Sequence, residues 1–141
     1  MLITQKKNQY AIRAILELAK HMGEGPRKIS EIAKAQEFPV RFLEVILSQL
    51  KGSGFVESKR GFYGGYTLVR PPDEITVGDV LRFMSGRDET VDGRADPSKD
   101  DFSLNVDVIF SSMTNRAWDA VFDVYDQTTI QNLLDNEKDQ Q

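Results

Sequence analysis

None of the 141 residues is cysteine, 40% are hydrophobic, and the formal net charge is −4. Structural disulfides, thiolate metal sites, thiolate-held clusters and cysteine nucleophiles are thereby excluded, and the length suits one domain or a small domain with an appendage. No run approaches the ~18 apolar residues of a membrane-spanning helix, and Lys6, Lys7 and Arg13 interrupt the opening a signal peptide needs, so the chain reads as soluble and cytoplasmic, with no membrane partner.

Residues 9–22 carry Ala11, Ala14, Ile15, Leu18 and Met22 on one stripe, with Arg13, Glu17 and Lys20 facing away. That pattern predicts an amphipathic helix stopped at Gly23. His21 is the only histidine; it belongs to the last turn, where a cation suits the helix dipole, and it has no partners with which to build a metal site. Two short helical patterns follow. In residues 29–36, Ile29, Ile32 and Ala33 turn inward and Ser30 is either the N-cap or an early helical residue. In residues 40–50, Phe42, Leu43, Ile46, Leu47 and Leu50 turn inward while Val40, Arg41, Glu44, Val45 and Ser48 face out. Gln36-Glu37-Phe38 makes the turn between them, and Pro39 suits the first turn of the second helix, where its missing N–H is harmless.

Residues 55–58 and 66–69 then alternate as two strands around a tip rich in glycine and base, Lys59-Arg60-Gly61-Phe62-Tyr63-Gly64-Gly65. That predicts a β-hairpin. Helix, tight turn, helix and a basic two-stranded hairpin is the layout of a winged helix-turn-helix, a motif that sets one helix in a DNA major groove and a positive hairpin against the backbone or minor groove. The charge distribution agrees. Residues 1–87 hold 14 Lys/Arg against 9 Asp/Glu, a net of +5, whereas residues 88–141 hold 4 against 13, a net of −9. Phosphate attraction follows local potential, so the negative total is no obstacle to nucleic-acid binding.

Pro71-Pro72-Asp73-Glu74 is a rigid stop. Thr76 is the expected N-cap of a helix carrying Val77, Val80, Leu81 and Met84 inward, with Asp79 as its capping acid and Gly86 at its end. Residues 86–101 show neither helical nor strand period and read as a polar, acidic, flexible loop. Asp88, Asp92 and Gly93 match three positions of a calcium loop, but Thr90 and Lys99 stand where further ligands belong, so no metal is expected. A long helix over 105–126 places Val106, Ile109, Phe110, Met113, Ala117, Ala120, Val121 and Val124 three or four apart, with Trp118, Phe122 and Tyr125 widening the stripe. One helix cannot bury so wide a stripe alone; it either packs back on its own chain or pairs with a second copy, and the expectation is a homodimer. Thr128 or Thr129 caps a short last helix over 130–134.

Several segments, in fixed order, resemble the IscR/NsrR/CymR family of bacterial winged helix-turn-helix transcriptional regulators. They are Gln9-Tyr10-Ala11-Ile12-Arg13-Ala14, Ile29-Ser30-Glu31-Ile32-Ala33, Phe42-Leu43-Glu44, Gly64-Gly65-Tyr66-Thr67-Leu68, residues 71–80 and residues 129–134. The resemblance covers nearly the whole chain and breaks down only over 86–101. It implies a dimeric, sequence-specific regulator, usually a repressor, acting on double-stranded DNA with an imperfect palindromic site. Many members hold an iron–sulfur cluster through three cysteines in the loop before the dimerisation helix. This chain has none there, so the resemblance is to a cluster-free member without a cofactor.

The expected fold is therefore mainly α: a winged helix-turn-helix domain (1–85) with a small two-stranded wing, a flexible acidic loop (86–104), and a long C-terminal dimerisation helix with a short terminal helix (105–141). Carried over by position, the resemblance implies that Glu44 reads bases and that Arg60 enters the minor groove. A carboxylate accepts from cytosine N4, and a narrow A·T groove concentrates negative potential. Arg41 would reach a phosphate or a guanine edge, Lys59 adds phosphate attraction, and Gly61, Tyr63 and Gly64 complete the wing contact. Lys7 and Tyr10 are further phosphate candidates. Val106, Ile109, Phe110, Met113, Ala117, Val121 and Val124 make the dimer seam. A protein partner, as resembles CymR, or a small-molecule effector would supply the signal. An enzyme is not expected, because no nucleophile, base and orienting group can be assembled from these residues.

Overall fold

A computed structural model of the chain describes residues 5–85 and 105–140, with backbone alone for 105–109. In order they form α1 (Lys6–Lys20), α2 (Ile29–Gln36), α3 (Val40–Leu50), β1 (Val56–Lys59), β2 (Gly65–Leu68), α4 (Val77–Ser85), α5 (Asn105–Gln127) and α6 (Ile130–Asp139), with short 3₁₀ turns at Lys51–Ser53 and Pro72–Glu74. The acidic segment 86–104, with Asp88, Asp92 and Gly93, and the side chains of Val106 and Ile109 lie outside the described residues.

α1 is the central helix: α2, α3, α4 and α6 all pack on it. Ala11, Ala14, Ile15 and Leu18 are buried as their spacing predicts. Two side chains depart from the pattern. Glu17, expected to face solvent, is only 4% exposed, because Gln36 Nε2 donates to its Oε2 (2.8 Å) and His21 Nε2 lies 3.2 Å from Oε1. Partners from outside the helix offset the cost of burying the carboxylate. Met22, expected inward, is 40% exposed: the helix ends at Lys20, so the 3.6-residue phase no longer carries to position 22.

Ser30 is an early helical residue of α2, and the helix start is satisfied instead by Glu31, whose carboxylate accepts the Lys28 N–H at 2.9 Å. Glu37 closes α2 in the left-handed region (φ 57°), the one non-glycine among the described residues with positive φ, and Phe38 N–H donates back to the Ala33 carbonyl at 2.9 Å. Pro39 stands at the N-cap of α3 rather than inside its first turn. α3 buries Leu43, Ile46, Leu47 and Leu50. Phe42, expected inward with them, is 37% exposed and rests edge-on against Tyr10 instead.

The hairpin pairs Val56 with Leu68, Glu57 with Thr67, Ser58 with Tyr66 and Lys59 with Gly65. It does not stand alone. Arg27, in the connection between α1 and α2, exchanges both backbone bonds with Tyr66, each 2.8 Å. Gly65 makes that approach possible: its φ is 152°, and a Cβ there would run into the Arg27 carbonyl.

α4 opens on the expected capping box. Thr76 Oγ1 accepts the Asp79 N–H at 3.0 Å, and Asp79 Oδ2 accepts the Thr76 N–H at 3.1 Å. α5 packs on α4 through Phe122, which is buried and has the Arg82 guanidinium 4.6 Å from its ring. Arg82 also donates twice to Asp126, at 2.5 and 2.7 Å. These bonds hold the Asp126 carboxyl below its ordinary range, against the smaller opposing effect of burial. After α5 the chain is stitched to the start of α4: Val77 N–H donates to the Thr128 carbonyl (2.8 Å) and Ile130 N–H to the Ile75 carbonyl (2.9 Å). Thr129 caps α6, its hydroxyl accepting the Asn132 N–H at 3.0 Å. α6 runs to Asp139 where residues 130–134 were expected. Its length is explained by docking: Ile130 and Leu134 join the same hydrophobic core as α1, α3 and α4, and Glu137 pairs with Lys20 at 2.9 Å.

Candidate nucleic-acid interface

Two exposed surfaces carry the residues singled out from sequence. The first is the outer face of α3. With Leu43, Ile46, Leu47 and Leu50 committed to the core, helical phase leaves Arg41, Glu44, Val45, Ser48 and Gln49 in solvent. α3 is held by its preceding turn. Arg13 Nη2 donates to the Gln36 carbonyl (2.6 Å) and Nε to Gln36 Oε1 (3.2 Å), while Gln36 Nε2 reaches Glu17. The Phe38 ring lies between the Arg13 guanidinium (4.4 Å) and the Tyr10 ring (4.2 Å). A helix-turn-helix depends on a fixed angle between its two helices, and this clamp fixes it from behind. Arg13, Glu17 and Gln36 were not among the expected site residues. Each reads as an ordinary surface polar group until the fold brings α1 against the turn.

Tyr10 and Lys7 are both half-buried on α1. Tyr10 contacts Phe38 and, at 4.9 Å, Phe42 at the start of α3, so its ring is a packing element whatever its hydroxyl contacts.

The second surface is the wing tip. Lys59, Arg60, Gly61, Phe62 and Tyr63 are exposed. Gly64 is buried: its N–H closes the turn on the Gly61 carbonyl (3.0 Å), and a Cβ there would strike the Lys59 carbonyl. Gly61 adopts φ 111°, a region that favours glycine. Phe62 and Tyr63 stand 78% and 84% exposed, packed edge to face at 5.0 Å. The Lys28 ammonium sits 4.9 Å from the Phe62 ring. The tip forms one wall of an open cleft of about 480 Å³, where Phe62, Tyr63 and Gly64 meet Glu24, Pro26, Lys28 and Glu31. Lys28 enters the wing only through the Arg27–Tyr66 pairing, which no local pattern signals.

On α5 the structure separates two faces that sequence merged into one stripe. Trp118, Phe122 and Tyr125 cluster toward the core. Phe110, Met113 and Val124 are 56%, 51% and 62% exposed; Ala117 is exposed too and Val121 is half-buried.

As metal donors the 141 residues offer no cysteine and one histidine. His21 is held between Glu17 and Glu24, with Nδ1 2.6 Å from Glu24 Oε2. Among the described residues no three His, Cys, Asp or Glu side chains are gathered to hold an ion, nor is any helix long and apolar enough to cross a membrane.

A short helix pair with an exposed outer face, followed by a basic hairpin, is the framework of winged helix-turn-helix transcriptional regulators, and the comparisons with known proteins agree. The chain belongs to the Rrf2 family: the family model, described as "Iron-dependent Transcriptional regulator", matches residues 4–136. It is 36% identical over 129 residues to the HTH-type transcriptional regulator CymR of Bacillus subtilis (strain 168), which covers 90% of this chain and 86% of that protein. The HTH-type transcriptional regulator IscR of Pectobacterium carotovorum is 30% identical over 132 residues, covering 94% and 79%. Of solved structures, T. potens IscR superposes with a TM-score of 0.78 at 30% identity over 98% of this chain and 90% of that one. CymR (YrzC), the global cysteine regulator of B. subtilis, gives 0.73 at 34% identity over 94% and 96%.

Proposed function

We propose that the chain is a cytoplasmic, homodimeric, sequence-specific repressor that works without an iron–sulfur cluster. The observation that carries this reading is the pairing of an exposed, clamped α3 face bearing Arg41 and Glu44 with an exposed basic wing bearing Lys59 and Arg60. α3 enters the major groove, where Glu44 accepts from a cytosine N4 and Arg41 engages a phosphate or guanine edge. The wing lies along the adjacent minor groove, with Arg60 in it. Residues 1–85 form the DNA-binding unit and residues 105–141 the dimerisation unit, paired through the outer stripe of α5. A two-fold dimer then reads an imperfect palindrome with half-sites about one helical turn or more apart. Repression needs no surface beyond these, since a seated dimer excludes polymerase by occupancy.

The family's description as iron-dependent does not fit the donor set. A cluster iron wants thiolates, and the chain offers no cysteine and a histidine engaged by two carboxylates.

Sizing by light scattering, followed by a salt titration of binding to the DNA upstream of the chain's own gene, tests the reading. The expected result is a dimer whose affinity for one sequence falls steeply with salt. A monomer, or a dimer indifferent to sequence, would refute it.

A further inference from the structure

We propose that Phe62 and Tyr63 form an apolar wedge that enters the minor groove beside each half-site, unstacks one base step and kinks the duplex. The proposal deepens the reading of the wing as a DNA-contacting element and rests on it. Among the other described aromatics, Phe38, Phe55 and Phe122 are buried, Tyr10, Tyr66, Phe83, Trp118 and Tyr125 are packed against the core, and Phe42 and Phe110, at 37% and 56%, are far less exposed than the two rings of the wing tip. At the wing tip two neighbouring rings stand 78% and 84% exposed, packed on each other and beside the Lys28 ammonium, and their inner sides line an open cleft with Glu24, Pro26 and Glu31.

The backbone presents them outward. The turn closes from Gly61 to Gly64, so Phe62 and Tyr63 are its two central residues. The glycines on either side have no side chains, which makes the rings the leading edge of the hairpin. A minor groove about 6 Å wide accepts a tip of this kind edge-on. Apolar side chains inserted there part base pairs and bend DNA, and the unstacking is offset by the extra surface that the bent duplex wraps. Charge selects this occupant. Lys59 and Arg60 precede the rings and Lys28 flanks them, so an advancing wedge carries three cations toward the two phosphate rails of the groove. Glu24 and Glu31 line the same cleft as the rings, but both carboxylates are engaged, Glu24 by the His21 ring (2.6 Å) and Glu31 by the Lys28 N–H (2.9 Å).

The experiment uses the full chain and an operator duplex selected from a random pool by the unaltered protein. Bending is read from energy transfer between dyes on the duplex ends, and unstacking from permanganate reactivity of thymines flanking the half-sites. The unaltered protein should bend the duplex by a few tens of degrees and expose thymines at one step per half-site. The double variant Phe62→Ala, Tyr63→Ala should bind roughly tenfold more weakly, as the loss of about one base–aromatic stack implies, and leave the duplex nearly straight. Phe62→Leu, which keeps apolar bulk, should retain most of the bend. Both positions are solvent-exposed, so an unchanged circular dichroism spectrum is expected throughout. If the double variant binds and bends as the unaltered chain does, or binds more weakly with the same bend, the wedge is refuted while the regulator stands. Failure of the unaltered chain to select any operator refutes both.

Discussion

Glu44 and Arg60 occupy exposed positions on different elements, and their removal should leave different signatures. Glu44→Ala should cost ~1–3 kcal/mol of discrimination at one base pair while leaving other positions alone. Arg60→Ala should weaken operator binding and relax the preference for A·T beside each half-site. Equilibrium binding to a set of single-substitution operators separates the two; a uniform loss for Glu44→Ala would assign that side chain to structure. The exposure of both was legible in the sequence, because Glu44 falls off the apolar stripe of α3 and Arg60 lies in the glycine-rich tip of the hairpin. Glu17 was not. A charged side chain on a periodic helix reads as solvated, and it takes Gln36, nineteen positions away, together with His21 to make it a buried acceptor. Phe42 misled in the other direction. Its hydrophobicity argues for the core, but it sits at the margin of α3's buried face, where the Tyr10 ring covers one side of it and solvent the other.

Among the elements, the wing's attachment to the α1–α2 connection depends on one glycine. Gly65→Ala would add a side chain at φ 152° and drive it into the Arg27 carbonyl. The strained backbone alone costs about 1–3 kcal/mol, and relief requires breaking the two bonds to Tyr66. A lowered urea midpoint together with weakened operator binding is expected. Unchanged stability would mean that the Arg27–Tyr66 pairing is dispensable. The α4–α5 link makes a pH-dependent contribution of known sign. Because Arg82 lowers the Asp126 pKa, the folded chain binds fewer protons than the unfolded one in acid. The link is therefore fully present above the ordinary aspartate value of about 3.9 and is lost as pH falls through the lowered one. Both side chains are well exposed, so the effect is small. In urea titrations, the gap between Asp126→Asn and the unaltered chain should be measurable at pH 7 and should shrink as pH falls below the ordinary aspartate value of about 3.9. Hairpin, helix order and the Thr76 cap could all be read from period and turn residues. The extension of α6 could not, because polar residues 135–139 carry no apolar period and are kept helical by docking on α1.

At the scale of the whole molecule, α5 presents two faces where the sequence showed one wide stripe. The Phe122 side answers to α4, and the Phe110, Met113 and Val124 side is left over. Met113→Glu would place a charge in that second face without touching the core, and sedimentation should show a shift from dimer toward monomer with little change in thermal midpoint. A dimer that persists would move the seam elsewhere. The backbone bonds from Val77 to Thr128 and from Ile130 to Ile75 give this arrangement a mechanical meaning. They anchor the end of α5 to the root of α4, itself packed on α1, so in the proposed dimer the described helices of the DNA-binding unit would be tied directly to the pairing helix. Such a dimer behaves as a caliper with a locked jaw. Its span would be set by these contacts, and an operator would have to match that gauge.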